Sequence, residues 1–208
     1  MLVLTCQLGR ADFTFTGGTG GDIPVGNWVG MTSVGHVSGS SPDPVTGMSL
    51  NLNISGGFNG DLYAYLVAPD QTTTASLLGT VGGNFTQVGS GYDITLASGH
   101  QNINSATQHG GALVTGTYSP VVDLMTTFGS YINTHGGPGG DWRLFVANQS
   151  VGGGQSTLGT WSLNFTTTAV PEPEQVVAIS LLGLIGLMVG SYRNWGRALG
   201  LKKFDPRA

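Results

Sequence analysis

Apolar and polar residues alternate along most of residues 12–166, which predicts β-strands because successive side chains of a strand point to opposite faces. The clearest case is 48–55, where Met48, Leu50, Leu52 and Ile54 are predicted to face inwards and Ser or Asn residues outwards. The strands predicted in this way are 12–16, 48–55, 62–68, 76–81, 92–97, 112–118, 141–147 and 157–165. Short strands separated by turn residues predict an all-β sandwich.

Two stretches break the alternation. Residues 23–37 follow no regular period and are predicted to be irregular, with Trp28 anchored in the core. Ser119 and Pro120 suit the N-cap and first position of a short helical turn, in which Leu124 and Phe128 share a face. No long helix is predicted before residue 175. The final strands are expected to lie beside the first, which would bring the two ends of the domain together.

The most apolar stretch is uncharged and covers residues 176–192. As a helix it would be about 26 Å long, slightly shorter than the roughly 30 Å bilayer core, and Arg193 can snorkel to make up the difference. It predicts a single C-terminal transmembrane helix after a linker, 167–175. The tail, 193–208, is basic and includes Arg197, so it should stay in the cytoplasm with the bulk of the protein outside.

Pro171, Glu172 and Pro173 stand just before this span, and Arg193 and Arg197 follow it. This order resembles the PEP-CTERM protein-sorting signal of Gram-negative bacteria, although here the basic residues are spread out. The resemblance implies processing near the motif by exosortase, a membrane transpeptidase-like enzyme. The protein would be exported, held in the inner membrane on the periplasmic side, then released to the cell surface or an extracellular polysaccharide matrix. An ordinary membrane anchor after a Pro-containing linker is the alternative.

Charge is sparse and unevenly distributed. Residues 12–169 contain eight Asp, one Arg and neither Glu nor Lys, a net charge of about −7. A domain without a basic patch argues against a nucleic-acid partner. Cys6 is the only cysteine, so no disulfide framework exists. Residues 1–11 are predicted to be a signal-peptide remnant that lacks its basic start and most of its apolar core; a genuine short N-terminus is the alternative.

Four segments of the domain have a second resemblance, to the P domain (Homo B domain) found beside proprotein convertase catalytic domains. They lie in order along the chain, at 59–69, 115–120, 140–146 and 158–163. The resemblance covers about residues 22–166 and implies a jelly-roll β-sandwich. Asn148 stands where that family commonly has Asp, which argues against carrying over a metal site.

The sequence predicts no enzyme, metal or cofactor. The histidines, His36, His100, His109 and His135, sit in loop-like surroundings without a Gly-x-Ser-x-Gly elbow. Residues 17–22 and 136–141 each begin like a calcium-binding Gly-Gly-x-Gly-x-Asp repeat. Such sites need tandem copies, so turns are predicted instead.

Tyr63 and Tyr65 are predicted to lie side by side on the face opposite the core residues of their strand. With Tyr118 and Tyr131 they could form an aromatic platform for sugar rings, or pack structurally under a loop.

The sequence suggests three functions. The first is a non-enzymatic, exported surface or matrix protein. The second is a carbohydrate-binding module for exopolysaccharide. The third is an accessory or regulator of a separate serine-type endopeptidase.

Overall fold

Ten β-strands and one α-helix build the part of the chain that the structure, a computed structural model, describes: residues 13–26, 28–39, 43–79, 89–106 and 112–168. These residues belong to one compact unit, Gly9–Ala169. The elements are β1 Thr14–Thr16, β2 Gly21–Ile23, β3 Met31–Ser38, β4 Val45–Gly56, β5 Leu62–Val67, β6 Thr74–Gly79, β7 Gly91–Ala97, β8 Val114–Tyr118, α1 Leu124–Thr134, β9 Gly140–Asn148 and β10 Ser156–Thr167.

The predicted Pro171-Glu172-Pro173 motif, the span 176–192, the tail with Arg193 and Arg197, and residues 1–11 lie outside the described residues. Among the residues that are described, no helix combines the length and the apolar character needed to cross a membrane.

Two five-stranded sheets form a sandwich, which confirms the prediction of an all-β sandwich. One sheet, here called sheet A, has the order β1-β3-β9-β5-β6, and the other, sheet B, has the order β2-β10-β4-β7-β8. The described strand pairs are antiparallel except β7 with β8, which run parallel at the edge of sheet B. The apolar faces of both sheets meet in one core.

Strand β4 follows its predicted alternation closely. Leu50, Leu52 and Ile54 are at most 1% exposed, and Met48 is 5% exposed. The strand pairs with β10 on one side and β7 on the other, so it lies in the middle of sheet B. Each such side chain contributes about 1.5–3 kcal/mol through removal of its apolar surface from water.

The prediction that residues 23–37 are irregular is wrong for 31–37, which belong to β3, whereas the described residues between β2 and β3 form turns. The inward positions of β3 include Ser33 and Gly35, which are too small or too polar to produce an apolar period. A Cβ at Gly35 would overlap the ring of Phe15 and lie 3.1 Å from Trp161. Large rings from β1 and β10 therefore fill the space that a large side chain on β3 would occupy.

The assignment of Trp28 to the core is also wrong. Trp28 is 68% exposed, in the turn between β2 and β3. The core places for large rings are taken by Trp142, which is fully buried, and Trp161, which is 2% exposed. A tryptophan outside a periodic stretch has no pattern that fixes its side.

The predicted helical turn is a full helix, α1, of 11 residues. Leu124 and Phe128 are both fully buried, as their spacing predicted. The N-cap is Asp123 rather than Ser119: its side chain accepts a hydrogen bond from the N–H of Thr126 at 2.8 Å. Ser119 instead forms a bridge with Asn102. The helix is longer than predicted because the core contacts of its apolar face outweigh its modest propensity.

The final strand lies beside β2 and β4 rather than beside the first strand. Strand β1 pairs with β3 in the other sheet. Phe13 contacts Phe165 and Phe15 contacts Trp161 edge to face, with ring centroids 5.8 and 4.8 Å apart. The first and last strands of the domain thus contact each other through side chains in the core, and they are not hydrogen-bonded neighbours in one sheet.

Candidate functional site

The outer face of sheet A carries a row of three aromatic side chains, Tyr63, Tyr65 and Phe145. Tyr63 and Tyr65 alternate along β5 with Leu62, Ala64 and Leu66, which are fully buried, so the tyrosines face outwards as predicted. Their ring centroids are 5.9 Å apart with planes tilted by 57°. Tyr65 stacks on Phe145 of β9 at 4.6 Å and 22°.

Because Tyr65 and Phe145 cover part of each other, the row is not a flat platform. Each of the three residues is half-buried. The backbone of Gly30 packs against Phe145, since a Cβ there would lie 2.7 Å from Cζ of that ring. Exposed Trp28 stands two residues before Gly30. The row can offer apolar ring surface and phenol hydroxyls to a ligand, the combination that sugar rings use.

Arg143 lies on the same face, two residues before Phe145 on β9. It is opposite Val67 of β5 in register and opposite Val34 of β3 on its other side. Its Nε is buried without a hydrogen-bond partner, and among the described residues no carboxylate forms an ion pair with it. Arg143 is the only Lys or Arg between residues 12 and 169.

The nearest carboxylate along β9 is engaged elsewhere. Asp141 accepts from His36 through an Oδ1–Nδ1 contact of 2.6 Å, and the two side chains are 61% and 57% exposed. Because both side chains are exposed, this contact contributes little to the stability of the fold. Asp141 is thus engaged by His36 and forms no ion pair with Arg143 in the described part of the chain.

The signal for Phe145 and Arg143 was present in the sequence. Trp142, Leu144 and Val146 of β9 are fully buried, as the alternation predicts. The two residues between them must then face outwards, together with the tyrosines of a neighbouring strand. The alternation could not show that β9 lies next to β5, because pairing partners are a property of the topology.

The other two predicted tyrosines do not join the row. Tyr118 is on β8 of sheet B, and its hydroxyl donates to the carbonyl of Thr115 at 3.3 Å. Tyr131 is 9% exposed on α1 and stacks on His135 at 4.4 Å. Burial, followed by the nearby charge of Asp70, raises the pKa of Tyr131. Both therefore have structural contacts of their own.

A buried carboxylate, Asp61, ends the short 3-10 turn before β5. It is 0% exposed, and within the described ranges neither carboxylate oxygen has a hydrogen-bond partner. Gly153 of the β9–β10 loop covers it so closely that a Cβ there would overlap Oδ2. Burial raises the pKa of Asp61, because desolvation disfavours the charged form.

Asn59, two residues earlier in the same turn, is equally buried, but both its side-chain oxygen and its side-chain nitrogen are hydrogen-bonded. Its side chain donates to the carbonyl of Gly91 at 3.0 Å and accepts from the Gly91 N–H at 2.8 Å. Its carbonyl accepts from the hydroxyl of Tyr92. The turn is thus tied to β7 through Asn59, whereas Asp61 is held by its backbone, whose carbonyl accepts from Gln149.

The described histidines are separated from one another. His36 pairs with Asp141, His135 lies within 2.9 Å of the carbonyl of Tyr131, and the backbone N–H and C=O of His100 bond to the Ser119 hydroxyl. Within the described ranges, no serine or cysteine side chain forms a hydrogen bond with the His36 imidazole. A cleft of about 230 Å³ is lined by eight residues, of which Asp43 is the one titratable group.

The two Gly-rich segments that begin like calcium repeats end in residues with ordinary contacts. Asp22 accepts from the hydroxyl of Thr157 at 2.8 Å, and Asp141 pairs with His36. Asn148 donates to the carbonyl of Gly154 and accepts from the N–H of Ser150. In the part of the chain that the structure covers, no three His, Cys, Asp or Glu side chains group closely enough to hold a metal ion.

The sequence matches no protein-family model and no curated protein sequence. The likeness to PEP-CTERM signals and to the P domain therefore stays a prediction from the motifs.

Proposed function

We propose that this chain is an exported, non-enzymatic cell-surface or matrix protein, delivered by its C-terminal segment. The order of Pro171-Glu172-Pro173, an uncharged span and a tail with Arg193 and Arg197 supports this proposal. Strand β10 ends at Thr167, so few residues separate the folded domain from the motif. Exosortase would act on the motif while residues 176–192 anchor the chain as a transmembrane helix.

The physical chemistry of the motif suits a processing site. Pro171 and Pro173 remove two backbone N–H donors and disfavour helix at the residues before them. Glu172 and Glu174 oppose entry into the bilayer, while the basic tail opposes export of the other end. The peptide would stay extended and accessible to a membrane-embedded enzyme at the outer surface.

The experiment compares wild-type protein with Glu172→Ala/Pro173→Ala in a host carrying exosortase. Mass spectrometry of the surface protein should show loss of residues 193–208 in the wild type. The variant should insert into the membrane and keep its tail. A wild-type surface protein that retains Arg193–Ala208 would identify the segment as a plain anchor and refute the proposed sorting role.

We further propose that the sandwich is a jelly roll of the P-domain type. The two five-stranded sheets support this, as does the placement of the four similar segments on β5, β8, β9 and β10 with their flanking turns. The proposal concerns the fold alone. A P domain accompanies a protease catalytic domain, and its presence would not give this chain a nucleophile.

The second proposed function is carbohydrate binding by the outer face of sheet A. One observation carries it: Tyr63, Tyr65 and Phe145 form a contiguous, partly exposed aromatic row. Phe145 is opposite Tyr65 in register, so a regular ladder fixes the spacing of the rings. A ligand would meet a preformed surface, which reduces the entropy lost on binding.

A glycan array with the full chain tests this second function. We expect binding to polysaccharides rather than to free monosaccharides, because the aromatic row is longer than a single sugar ring. Tyr65→Ala should remove the signal, since it removes the central ring. Val151→Ala is the matched control, because Val151 is apolar, 84% exposed and outside the row. Binding that survives Tyr65→Ala would refute the assignment to this face.

A further inference from the structure

We infer that Arg143 makes the aromatic row selective for acidic polysaccharides, whose sugar rings carry carboxylates. The inference rests on the proposed carbohydrate binding and adds the chemical class of the ligand. Its central observation is the isolation of Arg143: the only Lys or Arg of residues 12–169 lies beside the row and has no side-chain partner among the described residues.

An arginine in this position is costly unless something pairs with it. Its Nε is buried, and a buried donor without an acceptor is destabilising. Val34 and Val67 flank it on the neighbouring strands and offer no side-chain acceptor. A planar guanidinium binds a carboxylate through two parallel hydrogen bonds. The Nε is shielded from solvent, so an incoming carboxylate would bind the two terminal nitrogens of the guanidinium, for which the described residues supply no acceptor either.

The register places the charge within reach of a sugar on the row. Arg143 and Phe145 point to the same side of β9 with one residue between them, a separation of about 7 Å along the strand. Tyr65 stands opposite Phe145 on β5. A ring held against these aromatic side chains can direct an exocyclic carboxylate towards Arg143 while its hydroxyls meet the phenol groups.

The net negative charge of the domain repels a polyanion. Whether the electrostatic interaction at the row is favourable therefore depends on how far the acidic residues lie from it. At physiological ionic strength the Debye length is about 8 Å, which screens exposed charges farther away. Asp141 is the nearest acidic residue along β9, and it is paired with His36. Asp22 and Asp93 belong to strands of the other sheet, and Asp123 caps α1. Asp70, in the turn after β5, accepts hydrogen bonds from Thr72 and Thr73. A guanidinium in direct contact with the ligand carboxylate should outweigh the repulsion from these more distant charges.

The test uses polymers that differ only in charge. The full chain is titrated at 0.15 M NaCl with polygalacturonate and alginate, and with their esterified, uncharged forms. We expect the wild type to bind at least one acid polymer about tenfold or more tightly than its ester. Arg143→Gln should equalise the two affinities by weakening the acid polymer alone. Arg143→Lys, which keeps the charge without the fork, should retain part of the preference.

The outcomes separate this inference from the function on which it rests. Equal binding of acid and ester by the wild type would overturn the selectivity and leave carbohydrate binding intact. Binding of neither form of either polymer would overturn the inference, and an empty glycan array would in addition overturn carbohydrate binding. If Arg143→Gln does not fold, the wild type decides: the preference must shrink when NaCl is raised to 0.5 M, and an unchanged preference refutes the role of Arg143.

Discussion

The two faces of β5 differ sharply although their residues alternate along one strand. On the inner face Leu62, Ala64 and Leu66 are fully buried against sheet B. On the outer face Tyr63 and Tyr65 remain half-buried, beside Phe145. The larger side chains are the tyrosines, and they lie on the outer face, where they do not contribute to the core. The inner face is explained by stability, whereas the outer face needs a different explanation.

Polar groups sharpen the contrast within the interior. Ser33 faces the core with a full set of partners: it accepts from the indole N–H of Trp161 and donates to the carbonyl of Thr19, both at 2.9 Å. Asp61 is equally enclosed, and its carboxylate has no hydrogen-bond partner in the part of the chain that the structure describes. Pairing, rather than burial alone, decides whether an interior polar group stabilises the fold.

The largest expected effect is on the inner face. Trp142→Ala should lower the free energy of unfolding by about 3–5 kcal/mol, because it removes a fully buried ring that packs on Phe128 at 5.0 Å. Trp28→Ala, the matched control, should change it by less than about 0.5 kcal/mol. Urea denaturation of both variants measures this; equal losses would refute the assignment of the two tryptophans.

The next effect has the opposite sign. Because the pKa of Asp61 is raised, the fold favours its neutral form, and stability is lost as pH rises through that raised pKa. Asp61→Asn stays neutral at every pH, so its stability relative to the wild type should increase as pH rises from 3.8 towards 7. The difference should disappear below the ordinary carboxyl pKa of 3.8, where both states are protonated.

Denaturation of both proteins from pH 3 to pH 7 measures this difference. Asp70 acts in the other direction. Burial raises its pKa, but hydrogen bonds from Thr73 and Thr72 outweigh burial and lower it to about 2. The stability it contributes is lost as pH falls from 3.8 towards 2, equally in both proteins, so the comparison cancels it. A pH-independent difference would contradict the account of Asp61.

Ser33→Ala should cost about 1–2 kcal/mol, since it leaves the indole N–H of Trp161 buried without an acceptor. Ser38→Ala, on the same strand but exposed, is the control and should be within about 0.5 kcal/mol of the wild type. Thermal denaturation of the two variants separates them. A neutral Ser33→Ala would mean that the indole finds another acceptor.

The smallest effect on stability belongs to the outer face. Tyr63→Ala should cost about 0.5–1 kcal/mol, in line with the loss of one aromatic pair. Its effect on glycan binding should be much larger than its effect on unfolding, measured by the same array and by denaturation. A loss of stability near that of Trp142→Ala would show that the outer face is structural and weaken the contrast between the faces.

Strands with regular alternation were predictable from sequence, often to within two residues. Strand β3 was not, because its inward Ser33 and Gly35 complement rings that come from β1 and β10. The helix α1 was underestimated for a related reason: its length depends on contacts with the core. Periodicity predicts the face of a strand or helix on which a residue lies. It does not predict which side chains from distant parts of the sequence pack against that face.

The candidate site was half predictable. Tyr63 and Tyr65 follow from the alternation of one strand, but Phe145 and Arg143 join them only through the pairing of β5 with β9. Asp61 gave no signal, since a Gly-Asp pair before a strand is typical of a surface turn. Its burial results from the loop that carries Gly153, which is distant in sequence.

The position of Arg143 also governs how trypsin would attack the domain. Residues 13–168 contain one tryptic site, after Arg143, and β9 is hydrogen-bonded to β3 on one side and β5 on the other. A protease binds its substrate as an extended segment separated from the fold. Cleavage after Arg143 therefore requires β9 to lose its hydrogen bonds to β3 and β5. The cut would yield two fragments whose rate of appearance reports the population of the opened molecule. The domain therefore carries its own single-site probe of global unfolding.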